Sequence, residues 1–298
     1  MLFGDHLSSV AQIRRRYQNT KRTDVAATTR TAGRPRHRAL EDQLASLKRE
    51  HDDLRRAIYE AAQVQRRLCG PRHLRAGSYE FASEIFPVRH LSGDFITLMQ
   101  IEGDLVFAIG DIAGKGLMAA MWFTDIIGMI RRQMTTVGDP AAALSAVNRD
   151  LLLTGLEVPL ATLFLARVNL ESGELTYCNA GHPPALLLRE NSGVEELRAG
   201  GPVLGALSAA SFANGSERLC PGDTLLAYSD GIAECSNESG VEFGAKGLLN
   251  AARTFSGCKP SGMLFSVLAA VEDFAGNQRR EDDVALVVLH RFGSCKKY

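Results

Sequence analysis

The chain has 298 residues and no net formal charge, because 34 Lys and Arg balance 34 Asp and Glu. A hydrophobic fraction of 45% with 23% charged residues is ordinary for a globular protein and excludes fibrous and wholly disordered classes. The longest apolar stretch, residues 117–130, is interrupted at Thr124 and Asp125, so no membrane span is predicted. The 6 cysteines form no C-x-x-C pair, which indicates neither a disulfide framework nor a thiolate zinc site and favours a reduced, cytoplasmic protein.

Residues 1–38 form a basic segment without a sustained hydrophobic period. They contain nine Lys and Arg against Asp5 and Asp24, so the segment carries +7 and the other 260 residues carry −7. A segment of this composition buries too little apolar surface to offset the entropy of ordering, and we therefore expect a disordered tail. The alternative is an arm that binds an anionic partner, either lipid or nucleic acid. Nucleic acid is not the partner we expect.

A heptad pattern over residues 39–69 predicts a helical linker. Its apolar positions are Leu40, Leu44, Leu47, Leu54, Ile58, Ala61 and Leu68. With two polar positions included, the spacing alternates between four and three residues. These polar positions are His51 and Gln65. In a parallel pair of helices, Glu50 and Arg55 would occupy the g and e positions that exchange ion pairs. The pattern favours a homodimer through residues 40–68, and the alternative is an amphipathic helix that packs on its own domain.

Short strands dominate from about residue 78 onward and predict a single domain over residues 70–298. Two hairpins are expected, Phe95–Ile101 with Leu105–Gly110 and Thr162–Leu170 with Leu175–Asn179. Further strands are predicted at Ala185–Arg189, Thr224–Tyr228 and Val284–His290, and helices at Leu117–Gln133, Pro140–Leu153, Lys246–Thr254 and Pro260–Phe274. Because hairpins outnumber strand–helix–strand crossovers, we expect an α+β fold with antiparallel sheets covered by helices.

Aspartates in glycine-bearing turns at strand ends are the candidate chemical groups: Asp94, Asp111, Asp230, Asp282 and Asp283. A carboxylate beside an apolar strand is costly to bury unless a cation neutralises it. Oxygen ligands without a histidine or thiolate cluster suit Mg²⁺ or Mn²⁺ rather than zinc. Each turn by itself is a common sequence, but the ordered set predicts a divalent-metal site.

The motifs around these aspartates also follow one another in the order of a known family. The segments are Val64-Gln65, Ser92–Phe95, Gly110–Gly116, Ala161–Phe164, Asn179–Pro184, Gly201–Gly205, Tyr228–Ile232 and Asp282–Val284. With them the chain resembles the metal-dependent protein Ser/Thr phosphatases (PPM family), in the SpoIIE/RsbU-like bacterial branch. The resemblance implies an αββα sandwich of two antiparallel sheets flanked by helices, with a two-metal site at the edge of the sheets.

The resemblance implies a role for each aspartate. The implied metal ligands are Asp94, Asp111, the backbone carbonyl of Ile112, Asp230, Asp282 and Asp283. Asp111 would bridge two ions, Mn²⁺ or Mg²⁺, and Asp230 would share in catalysis. Lys115 replaces a histidine of many relatives. As a catalytic residue it would contact the substrate phosphate or act as an acid near the leaving group, and the alternative is a solvated turn residue.

The implied activity is hydrolysis of phosphoserine or phosphothreonine on a regulatory protein, in this branch a STAS-type anti-sigma-factor antagonist, by a metal-activated water. An activating partner is expected at the tail or the linker helix, because about 38 residues are too few for a sensory domain. Thr97 stands where the family often has a second aspartate, so the alternative is a pseudophosphatase that uses the fold only for binding. His182 is expected to pack or hydrogen-bond rather than to catalyse.

Overall fold

The computed structural model describes residues 33–114, 116–155, 158–191, 193–254 and 259–293. Lys115 and most of the predicted basic tail lie outside these ranges. The chain divides after Arg55 into two units, each of which is considered by itself below. None of the helices in the described ranges has the length and hydrophobicity that crossing a membrane requires.

The first helix, α1 (Gly33–Leu68), confirms the predicted helical linker but begins six residues earlier than predicted. Pro35 lies in the first turn of this helix. Backbone N–H groups there have no partner within the helix, so a proline, which has no N–H, costs no helical hydrogen bond. The arginines and alanines that follow are good helix formers, so the sequence of positions 33–38 is compatible with a helix. Gly70, with a φ of +85°, and Pro71 follow the end of the helix.

The heptad stripe of α1 differs between its two halves. Up to Arg55, its four leucines are 53–65% exposed, namely Leu40, Leu44, Leu47 and Leu54. Beyond Arg55, Ile58 and Ala61 pack with Ala62 against Leu91 and Ala120 of the same unit. The C-terminal half is therefore an amphipathic helix on its own domain, as the alternative interpretation expected.

Two sheets form the centre of the unit that follows Arg55. In spatial order, the first contains β1 (His73–Ala76), β2 (Tyr79–Phe86), β12 (Val284–Arg291), β11 (Thr224–Tyr228), β7 (Ala185–Leu188) and β8 (Val194–Leu197). The second contains β10 (Gly215–Arg218), β6 (Glu174–Ala180), β5 (Ala161–Asn169), β4 (Asp104–Ile112) and β3 (Phe95–Ile101), with the short β9 (Gly200–Gly201) beside β6. Apart from the β6–β9 pair, the neighbouring strands are antiparallel.

Helices cover the outer faces of both sheets. The second sheet packs under α2 (Leu117–Thr136) and α3 (Pro140–Leu153). The first packs under α5 (Gly244–Thr254) and α6 (Pro260–Ala275), preceded by the short α4 (Asp230–Ala233). Between the sheets lies a separate apolar layer, in which the rings of Phe81 and Phe107 are 5.7 Å apart. This layering confirms the predicted αββα sandwich.

The sequence analysis missed several strands, of which β2 matters most because it pairs with β12 along its whole length. The strand contains Glu80, Ser83 and Glu84, which interrupt its apolar pattern. In the folded protein Glu80 pairs with His73 and Glu84 with Arg72. These partners satisfy the glutamate carboxylates, so the segment forms a strand although its local sequence does not indicate one.

Candidate metal centre

The candidate aspartates come from both sheets and meet at one edge. In the second sheet, Asp94 directly precedes β3 and Asp111 lies near the end of β4, and Phe95 pairs with Gly110 across these strands. In the first sheet, Asp230 follows β11 and Asp282 precedes β12. Because antiparallel neighbours place the end of one strand beside the start of the next, each sheet contributes a pair of carboxylates.

The backbone approaches Asp111 closely at Gly93. A Cβ atom at this position would lie 3.0 Å from Asp111 Oδ1 and 3.0 Å from the Ile112 carbonyl oxygen. On the other sheet, a Cβ at Gly231 would overlap the Asp283 carbonyl. Any other residue at either position would therefore displace the chain that carries the carboxylates.

The carboxylates raise one another's pKa. Asp94 is 2% exposed, and in the described part of the chain its Oδ2 atom has no hydrogen-bond partner. Burial first, and then the charge of Asp111, raise its pKa well above the ordinary value, while a hydrogen bond with Ser229 acts in the opposite direction. Burial, followed by the charges of Asp230 and Asp282, raises the pKa of Asp111 from 3.8 to about 6. Mutual repulsion among the carboxylates therefore makes their ionised forms costly in the folded protein.

These residues suit a hard divalent cation. The donors are carboxylate and carbonyl oxygens, the ligands that Mg²⁺ and Mn²⁺ prefer, and one buried oxygen of Asp94 lacks a partner. They border a cleft of about 80 Å³ that Gly93, Asp111, Asp282 and Asp283 line together. Within the described ranges, no three or more His, Cys, Asp or Glu side chains are already arranged around a common point that could hold an ion. A bound cation would offset the mutual repulsion of the carboxylates.

Both carboxylate oxygens of Asp283, one of the implied ligands, accept hydrogen bonds from the loop before β3. Its Oδ1 accepts a hydrogen bond from the Val88 backbone N–H at 2.7 Å. Its Oδ2 accepts bonds from the Ser92 hydroxyl at 2.7 Å and the Gly93 N–H at 2.8 Å. Asp282 Oδ1 accepts a hydrogen bond from the Asp283 N–H at 2.9 Å. Both oxygens of Asp283 are therefore already used by the loop that leads to Asp94.

His182 is hydrogen-bonded and buried, which confirms the expectation for it. Its Nδ1 lies 2.9 Å from the Thr162 hydroxyl, and the Asn179 side chain bonds both its backbone N–H and its carbonyl. Burial lowers the pKa of His182 to about 3, so the ring is neutral at physiological pH. Thr162 is the register partner of Asp111 on the neighbouring strands β5 and β4. The hydrogen bond between His182 and Thr162 therefore lies next to the metal centre.

Two contributors to the site were not identified as such from the sequence. Gln65 donates from Nε2 to the Ser92 carbonyl at 3.1 Å and accepts at Oε1 from the Ser92 N–H at 3.3 Å. The available signal was its polarity at an apolar heptad position. Arg89 is an exposed cation that lines the cleft beside Asp111, and an isolated arginine in a loop gave no signal.

Thr97, the residue that departs from the family pattern, is connected to the end of α1 through Arg131. It is fully buried, and its hydroxyl accepts a hydrogen bond from Arg131 Nε at 3.2 Å. Arg131 also donates to the Leu68 carbonyl at 2.6 Å. The threonine therefore takes part in fastening the linker helix to the domain.

Comparison with known proteins adds independent information. The profile of the family described as Stage II sporulation protein E (SpoIIE) matches residues 101–292. Phosphoserine phosphatase RsbU of Bacillus subtilis (strain 168) is 26% identical over 246 residues, which cover 80% of this chain and 71% of that protein.

Solved structures show the same fold. The SiaA-PP2C domain of Pseudomonas aeruginosa superposes with a TM-score of 0.70 at 19% identity, covering 82% of this chain and 99% of that chain. The catalytic domain of the serine/threonine protein phosphatase PstP, solved in complex with 2 manganese ions, gives a TM-score of 0.52 at 15% identity, covering 72% of this chain and 99% of that one.

Proposed function

The chain belongs to the SpoIIE family of PP2C-type Ser/Thr phosphatases, and from this we propose that it hydrolyses phosphoserine or phosphothreonine on a regulatory protein, using two divalent ions, Mn²⁺ or Mg²⁺. The observation that carries the proposal is the cluster around Asp111, whose pKa is raised to about 6 by burial and by the neighbouring carboxylates. A cation would remove this penalty. Members of the family are enzymes, and the relative RsbU is named a phosphoserine phosphatase.

Each aspartate has a part in the proposal. Asp111 lies between the carboxylates of the two sheets and would bridge the two ions, with the Ile112 carbonyl as a further ligand. Asp230 and Asp282, from the first sheet, would hold one ion, and Asp94 would orient water at the other. Bound ions supply activation of a water molecule and neutralise charge on the phosphoryl group.

The cleft also contains a cation suited to the substrate. Arg89 is exposed, and its side chain makes no ion pair in the described part of the chain. A guanidinium beside the carboxylates can bind phosphate oxygens through paired hydrogen bonds and orient them. Lys115 remains proposed as a second phosphate contact; it lies outside the described residues.

The substrate class and the regulation are finer parts of the proposal. We expect a STAS-type anti-sigma-factor antagonist as the phosphoprotein, on the strength of the similarity to RsbU. An activating partner would bind the basic tail or α1, because α1 leads directly through Gln65 to the loop before Asp94. A cytoplasmic location is also proposed, and its support is the absence of any paired cysteine motif.

Removal of metal tests the activity directly. We expect hydrolysis of p-nitrophenyl phosphate and phosphorylated casein in the presence of Mn²⁺ or Mg²⁺, and none after EDTA treatment, measured as release of product. Restoration by added Mn²⁺ is the control for irreversible damage. If neither ion supports turnover on either substrate, the pseudophosphatase alternative replaces the proposal.

The exposed half of the α1 stripe supports the N-terminal part of the homodimer expected through residues 40–68, whereas Ile58 and Ala61 pack on their own domain. Four leucines at heptad spacing are more than half exposed there, and a second copy of the helix would cover them by knobs-into-holes packing. Leu47→Glu is expected to convert a dimer into a monomer, measured by light scattering of the eluting protein. Ala45→Glu places the same charge off the stripe and should leave the dimer intact. Equal behaviour of the two variants would contradict a dimer through this face.

A further inference from the structure

The loop between β2 and β3 is held by Asp283 from the other end of the chain. The three hydrogen bonds to this carboxylate come from Val88, Ser92 and Gly93, with donor–acceptor distances of 2.7–2.8 Å. Such bonds to an ionised carboxylate are short and stronger than neutral ones. They connect the segment before β12 in one sheet to the segment that leads into β3 in the other.

The same loop contacts α1 on one side and the metal centre on the other. Gln65 bonds both backbone groups of Ser92. Gly93 lies against Asp111 Oδ1 and the Ile112 carbonyl, and its own carbonyl accepts a bond from the Ile112 N–H at 3.3 Å. A shift of the loop would therefore be transmitted to Ile112, next to Asp111, through this hydrogen bond.

We propose that Asp283 is a positioning residue, whose carboxylate fixes the loop 88–93 across the two sheets and so places Gly93 and Arg89 at the cleft and Asp94 directly before β3. The role deepens the proposed function and replaces the ligand role implied by the resemblance. Because both oxygens already accept bonds from the loop, coordination of an ion by Asp283 would compete with the bonds that hold the site together. Asp282 also lines the cleft and keeps the ligand role that the resemblance implied for the pair.

An asparagine at position 283 distinguishes the two roles. An amide offers one acceptor oxygen and an NH₂ group, so one side of it would face an N–H or O–H donor of the loop. In metal-free Asp283→Asn, we expect hydrogen exchange at the Val88 and Gly93 amides to accelerate by about tenfold or more. Asp282→Asn is the matched control, and exchange at these two amides should stay at the wild-type rate.

Metal titration supplies the second readout. In folded Asp283→Asn, the Mn²⁺ concentration for half-maximal binding, measured by calorimetry, should rise by roughly tenfold. Losses of this size are typical when a residue that orients a metal ligand is replaced. Ser92→Ala removes one of the three bonds without touching the carboxylate and should change exchange and binding in the same direction by less. It also serves if Asp283→Asn does not fold.

Two results would overturn the positioning role. One is weaker Mn²⁺ binding with unchanged loop exchange in the metal-free variant, which would make Asp283 a ligand. The other is faster exchange with unchanged Mn²⁺ binding, which would reduce the bonds to a contribution to stability alone. Because exchange is measured without substrate, the outcome stands even if the protein has no phosphatase activity.

Discussion

Replacing Asp111 with asparagine is expected to abolish Mn²⁺-dependent turnover and at the same time to stabilise the metal-free protein. The first effect follows from the loss of the carboxylate proposed to bridge two ions; a loss of several kcal/mol of transition-state stabilisation corresponds to about 10³-fold or more in rate. The second follows because the asparagine relieves the repulsion that Asp111 exerts on Asp94.

The sign of the stability effect can be derived from the raised pKa. In the unfolded chain Asp111 ionises near 3.8, whereas in the folded protein it retains its proton up to about pH 6. The stabilisation that the protonated form provides is therefore lost as the pH rises from 3.8 through 6. Above this window the ionised group costs the metal-free fold about 3 kcal/mol at most, reduced by solvent screening of its exposed part.

Unfolding in EDTA measures this effect. Wild-type protein should gain stability between pH 7.5 and pH 5 through this group, and Asp111→Asn should have a smaller pH dependence with a higher midpoint at pH 7.5. Mn²⁺ should raise the wild-type midpoint far more than that of the variant. Asp273→Asn, an exposed aspartate of α6, is the control for a general charge effect. A variant less stable than wild type in EDTA at pH 7.5 would contradict the repulsion among the carboxylates.

Replacing Gln65 with alanine is expected to lower Mn²⁺-dependent activity by about 10- to 100-fold. The change leaves the buried N–H and carbonyl of Ser92 without their side-chain partner, and each unsatisfied buried group costs about 1–3 kcal/mol. Since Ser92 directly precedes Gly93 and Asp94, the cost falls on the loop that positions the metal centre. The apparent affinity for Mn²⁺ should decrease with the activity.

A glutamine two residues away is a close control for this variant. Gln63→Ala removes the same side chain from the same helix, at a half-buried position without a resolved hydrogen bond among the described residues. Activity assays across an Mn²⁺ titration should separate the two variants clearly. If both behave like wild type, α1 does not communicate with the metal centre through Ser92. Because Gln65 and Asp283 both bond Ser92, their effects on Mn²⁺ binding should be less than additive.

Much of the fold was predictable from local sequence. The strands at Phe95–Ile101 and Thr224–Tyr228 and the helix Pro140–Leu153 agree with the prediction, because apolar alternation, glycine turns and a proline at the first helical position act over a few residues. The strand Tyr79–Phe86 was not predicted, since its glutamates become acceptable only through Arg72 and His73.

The sequence by itself determined the family, the layered architecture and the group of aspartates, because these depend on ordered motifs and on short-range periodicity. The tertiary structure decided which half of the heptad stripe packs on its own domain, and that both oxygens of Asp283 bind the loop 88–93. The physical reason is that an adjacent pair of aspartates has the same sequence signature whether a side chain faces an ion or a backbone N–H about 190 residues away. Only the path of the folded chain brings these donors to Asp283, although both aspartates line the cleft.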